Sequence, residues 1–159
     1  MRRLKRLAGD EEAAELVEFA ISAWILFMLL FGIIEFCILI YSESVVAYAA
    51  QQGARYWMVR GADWAKPCST TLTAGCQAAS TDVQTYVLSL PHPGLNLATS
   101  NITATPVNAT AAGVSCLASP YAQGCEVKVT VSYTFGLNIP YVPAASIPLS
   151  STSTETIQD

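Results

Sequence analysis

The apolar positions of this chain change pattern twice. From Phe19 to Tyr41 it reads FAISAWILFMLLFGIIEFCILIY, a nearly unbroken apolar run. As a helix its roughly 23 residues extend about 35 Å, enough for a bilayer core of about 30 Å. A cleavable secretory signal has an apolar core of only about 7–15 residues followed by a small-residue cleavage site. The run reads instead as a retained anchor. Beyond it, Val45, Tyr48, Gln52, Tyr56 and Val59 recur at three and four, and Ala47, Ala49, Ala50 and Ala54 keep one flank slim. This predicts that the helix continues to about Arg60, with Gly61 as its C-cap and Pro67 preventing resumption.

Asp63 to Thr73 reads as a loop. Ser80 or Thr81 is positioned to cap a second, short helix with Val83, Tyr86, Val87 and Leu90 on one face, stopped by Pro91-His92-Pro93-Gly94. The period then falls to two. Asn101–Val107 reads as a strand that Pro106 confines to an edge or a strand end. In Glu126–Phe135, Val127, Val129, Val131, Tyr133 and Phe135 alternate with Glu126, Lys128, Thr130, Ser132 and Thr134, as in an antiparallel strand with one wet face. A Pro-punctuated segment runs from Gly136 through Pro148, and Leu149–Ile157 alternates as a last, Thr-rich strand. The expected class is α+β: a long N-terminal transmembrane and stalk helix, then a small domain with a short helix and an antiparallel sheet. The expected division is residues 1–18 as a cytoplasmic leader, 19–41 as the membrane helix, 42–61 as a helical stalk and 62–159 as an exported domain.

Charge sets the orientation. Of 159 residues 52% are hydrophobic and 13% charged, and the charges are segregated. Arg2, Arg3, Lys5 and Arg6 precede the run, followed by Asp10, Glu11, Glu12 and Glu15; Arg55 and Arg60 lie well past its other end. The positive-inside rule therefore keeps the N-terminus in the cytoplasm and exports the C-terminal part. Trp24 sits too deep to be an interfacial anchor, while Tyr41 and Tyr48 suit the outer boundary. No basic stripe with interleaved aromatics supports nucleic-acid binding.

Cysteine spacing agrees with export. Cys68 and Cys76 are close in sequence, as are Cys116 and Cys125, whereas Cys37 stands inside the apolar run as a small buried hydrophobe. Two local pairs in a small exported domain favour disulfides 68–76 and 116–125 over the other pairings. A metal site would show tighter CxxC knuckles.

Two carboxylates break the apolar pattern. Glu18 stands at the cytoplasmic mouth of the run and Glu35 within it. An ionised carboxylate at the helix centre costs on the order of 2.5–3.5 kcal/mol on insertion scales. Glu18 can snorkel into headgroups. Glu35 calls for a partner helix, a protonated state or a membrane thinned by neighbouring subunits.

The residues around these carboxylates carry a family resemblance. Ala14-Glu15-Leu16-Val17-Glu18-Phe19-Ala20 leads into the run, which contains Phe31-Gly32-Ile33-Ile34-Glu35-Phe36, and Ala49-Ala50-Gln51-Gln52-Gly53-Ala54-Arg55-Tyr56 follows. Over roughly residues 14 to 60 this resembles the TadE/TadF-like family, pilin-like minor proteins of bacterial tight-adherence (Tad) pilus systems. The resemblance implies a pilin-like domain after the helix. It also implies handling like a type IV prepilin, with a prepilin peptidase cutting between Ala13 and Ala14 so that Glu18 and Phe19 become the fifth and sixth residues. The chain departs from that pattern in having Ala13 where Gly is usual. By the same resemblance, Glu18 would neutralise the new α-amine of a neighbouring subunit. Glu18, Phe19 and Glu35 are thus the candidates for helix–helix assembly. The partners implied are other pilin-like subunits, further copies of this chain, the Tad secretion and assembly machinery, and membrane lipid. The filament, if the chain joins one, stands at the cell surface.

Catalytic signals are missing. No GxSxG, HExxH, Gly-rich phosphate loop or Cys/His catalytic set is present, so no enzymatic role, catalytic residue, cofactor or metal is expected. His92, the sole histidine, reads as a solvated turn residue. Asn101-Ile102-Thr103 and Asn108-Ala109-Thr110 match the glycosylation sequon but read as ordinary Thr-rich loop and strand sequence. Three roles stay open: a minor pilin or pseudopilin, the repeating subunit of a filament, and, in another class, a membrane-tethered extracytoplasmic binding or adhesion module.

Overall fold

A computed structural model of the chain describes residues 2–61, 64, 76–108, 110–111, 113–140 and 142–158, with side chains from residue 13 onward. The element order is α1 (Arg2–Met58), α2 (Ser80–Ser89), a short 3₁₀ turn (Thr99–Asn101), β1 (Ile102–Pro106), β2 (Thr110–Ala111), β3 (Val114–Ser115), β4 (Glu126–Leu137) and β5 (Ala145–Thr156). A long N-terminal apolar helix, a short helix and antiparallel sheet make the fold α+β, as the periodicity predicts. The chain divides into two compact units, Met1–Leu39 with Gly136–Ala145, and Ile40–Phe135 with Ser146–Asp159.

In the first unit the helix exposes its apolar side chains nearly all round, among them Leu16, Phe19, Leu26, Ile33 and Phe36. A helix apolar on every face is suited to lipid or to a protein interior. Among the described residues, one helix is long and apolar enough to cross a membrane, and its most apolar window is unburied.

In the second unit the C-terminal part of α1 is the central packing element. Val46, Ala49, Ala50, Gly53, Ala54 and Trp57 are buried at helical spacing, so the segment read as a stalk supplies one wall of the core. The helix ends at Met58, two residues before the expected Arg60, with Arg60 N–H closing onto the Trp57 carbonyl at 3.1 Å.

The second helix starts at Ser80, but neither Ser80 nor Thr81 caps it. Ala79 holds the N-cap position, and Asp82 reaches back to accept the Ala79 N–H at 2.9 Å. That carboxylate also sits favourably in the first turn against the helix dipole. The buried face is Val83 and Val87. α2 packs against β1, and Gln84 Nε2 donates to the Ile102 carbonyl at 2.9 Å.

The sheet has the order β1–β4–β5. β1 and β4 are antiparallel, with Ile102 opposite Val131 and Ala104 opposite Val129 on the buried face. Thr103 opposite Thr130 and Thr105 opposite Lys128 line the other face. There Thr130 and Thr152 pair hydroxyls at 2.9 Å, tying β4 to β5. The first strand is Ile102–Pro106, one residue shorter at each end than Asn101–Val107, with Asn101 taken into the 3₁₀ turn. The last strand runs Ala145–Thr156, longer than the predicted Leu149–Ile157, and its inner side is only half-covered. The small β2–β3 hairpin, pairing Thr110 with Ser115 and Ala111 with Val114, has no counterpart in the sequence reading.

Candidate membrane and assembly surface

Ala13, Ala14, Glu18 and Phe19 are exposed positions on α1; Phe19 is 72% accessible, and Glu35 is half-exposed. Glu18 and Phe19 are adjacent, while Glu35 lies about 25 Å further along the helix and on a different face. The structure therefore does not bring the two carboxylates together. Cys37 is a free, exposed thiol on the same helix.

Past the apolar run, α1 turns from exposed to buried. Tyr41 donates its hydroxyl to the Pro93 carbonyl at 3.4 Å, fastening the Pro-rich turn after α2 to the helix. The sole histidine belongs to this turn: His92 is half-buried, its ring Nδ1 faces the Leu90 carbonyl, and its own carbonyl accepts the Leu95 N–H at 3.1 Å. These bonds give His92 a turn-forming part.

At Gly53, α1 packs closely against Val87 of α2 and Val129 of β4. A Cβ there would meet Val87 Cγ2 at 2.7 Å and Val129 Cγ1 at 3.1 Å. Glycine in a helix interior is unfavourable by about 1 kcal/mol relative to alanine, so the close contact is what requires it. Near the helix end the Tyr56 ring stacks on Tyr86 with centroids 4.1 Å apart, and the Arg60 guanidinium lies 4.0 Å from the Tyr56 ring centre. Burial pushes the Tyr56 phenol above its ordinary range, with Arg60 pulling it back and Asp82 and Tyr86 adding to the rise. The helical recurrence that includes Tyr56 was legible in the sequence. Its partners Tyr86 and Arg60, and the role of Gly53, were not.

Cys116 and Cys125 form a disulfide with an S–S distance of 2.06 Å. It secures the chain end, because Gly124 N–H donates to the Ile157 carbonyl at 2.9 Å and Ile157 N–H to the Cys125 carbonyl at 2.8 Å. Cys76 is disulfide-bonded as well; Cys68, its expected partner, lies outside the described residues. Both sequon asparagines serve the backbone. Asn101 Oδ1 accepts the Ala98 N–H at 2.8 Å, and Asn108 Oδ1 accepts the Glu126 N–H at 2.7 Å. Among the described residues no group of three or more His, Cys, Asp and Glu side chains is placed to hold a metal ion.

Residues 14–55 match the model of a protein family described as TadE-like protein. No curated protein and no solved structure matches the chain. The matched segment contains Glu18, Phe19 and Glu35, and it also contains Gly53 and the alanines that face the domain core.

Proposed function

From this TadE-like segment we propose that the chain is a membrane-anchored, pilin-like component of a Tad-type pilus system, acting in pilus assembly or as part of the filament. One observation carries the reading. The match covers both the apolar run and the residues from Val46 to Ala54 that are buried in the domain core, so the likeness is not confined to the apolar run.

In this role Phe19–Tyr41 spans the bacterial inner membrane, Arg2, Arg3, Lys5 and Arg6 hold the N-terminus in the cytoplasm, and the disulfide-bearing domain faces an oxidising compartment. Glu18 and Glu35 act between subunits. A carboxylate that must find a partner in low dielectric penalises misregistered neighbours more than it adds net stability. The role is mechanical and non-enzymatic. Affinity isolation of the full chain from native membranes in mild detergent tests it. Recovery of other pilin-like chains and Tad assembly proteins supports the reading, and a chain that is membrane-bound yet isolates without them contradicts it.

A further inference from the structure

The connection between β4 and β5 belongs to the same compact unit as the apolar part of α1. Gly136–Ala145 groups with Met1–Leu39, while the strand residues on either side group with the polar-faced domain. Its sequence, GLNIPYVPAA, is unlike the rest of the exported part. No charged residue occurs between Lys128 and Glu155, and the connection holds Leu137, Ile139, Tyr141 and Val142 together with Pro140 and Pro143. Val142 is 41% exposed, and Leu137 and Ile139 are half-buried. A mixed apolar loop left open in water at a hairpin tip is an aggregation hazard, one that edge charges normally blunt.

The backbone of this segment suits an interfacial depth. Irregular backbone facing lipid is excluded from the hydrocarbon core because its N–H and C=O groups would lack partners. Here the two prolines have no N–H to satisfy, and Val142 N–H donates to the Ile139 carbonyl at 3.1 Å. Tyrosine is enriched at the membrane–water interface, where its ring is sheltered and its hydroxyl wet. The segment at Tyr141 has that composition.

We propose that Gly136–Ala145 is a second membrane-contacting element, seated at the boundary of headgroups and acyl chains in the outer leaflet. The occupant of this surface is lipid. The inference rests on the anchored reading given above and adds a contact that the family match, confined to residues 14–55, does not contain. The domain is thus held to the bilayer at two places, by the end of the helix run and by the hairpin tip. Leaving the membrane for a filament requires both to be released.

The test uses the full chain with Cys37→Ser and Val142→Cys, labelled with a nitrobenzoxadiazole fluorophore and reconstituted into phosphatidylethanolamine–phosphatidylglycerol vesicles. A second chain carries the label through Thr152→Cys on the exposed outer face of β5. The expected result is blue-shifted emission at position 142 that is quenched by lipids with a spin label near the top of the acyl chain and protected from aqueous iodide, with the reverse at position 152. Iodide quenching at 142 in a chain that resists alkaline extraction overturns the inference and leaves the anchor intact. Protection from both quenchers assigns the tip to a protein contact and also overturns it. A chain extracted by alkali overturns the anchored reading, and this inference with it.

Discussion

Gly53 and Val87 stand so close that a single added carbon at Gly53 would come within 2.7 Å of Val87 Cγ2. Val87 is fully buried and β-branched, so it has little freedom to turn away. Gly53→Ala gains about 1 kcal/mol of helix propensity and loses about 1–3 kcal/mol to overpacking, a net destabilisation of up to about 2 kcal/mol. Gly53→Leu exceeds that. Val87→Ala in the Gly53→Ala background restores the space, so a double-mutant cycle by thermal or chemical unfolding should show positive coupling. Additive effects in that cycle would mean that the two residues do not constrain each other.

The Cys116–Cys125 bridge closes a short loop onto the strand end at Ile157. Replacing both cysteines with serine should destabilise the domain by about 2–3 kcal/mol in the chain-entropy model. Proteolysis should then begin near the C-terminus, where the Ile157 backbone bonds are no longer held. Unchanged unfolding and proteolysis in the double variant would assign the bridge no structural weight.

Glu18 and Glu35 should matter for association rather than for folding, since both lie outside the domain core. Glu18→Gln keeps size and hydrogen bonding and removes charge. Glu35→Leu eases insertion of the single helix but removes the group that, on the proposed reading, bonds to a neighbouring helix for about 1–2 kcal/mol. Both variants should reach normal membrane levels with intact disulfides and recover less of the pilus partners on affinity isolation. Wild-type recovery in the single and double variants would show that these carboxylates only snorkel.

The two periods of the sequence carried most of the fold. The apolar run and the 3.6 repeat beyond it marked α1 from Phe19 onward, the same repeat marked α2, and the alternation through Val127, Val129 and Val131 marked the central strand with its faces assigned. Local chemistry placed the remainder differently. Asp82 outcompetes Ser80 and Thr81 at the α2 cap because a carboxylate three residues in can reach back to the Ala79 N–H. The β2–β3 hairpin has two-residue strands, too short for any periodic signal. The part played by the chain from Val46 to Trp57 was only half legible, since an Ala-rich stripe looks alike in a free stalk and in a helix packed against a sheet. Gly53 was the available clue, an interior helical glycine that a solvated stalk would not need. For the candidate site, Glu18, Phe19 and Glu35 were visible as breaks or markers in an apolar run. No sequence pattern pointed to the Arg60–Tyr56–Tyr86 stack, whose members come from different elements.

The central claim is that the apolar helix of this chain packs against the helices of other pilin-like subunits. A photo-crosslinking amino acid at Phe19, beside Glu18 and exposed on the helix, reports on it in native membranes. After irradiation and isolation of the full chain, mass spectrometry should find position 19 joined to the N-terminal helix of another pilin-like chain, with the yield falling in the Glu18→Gln background. Adducts to lipid alone, from a chain present at its normal membrane level, would contradict the account.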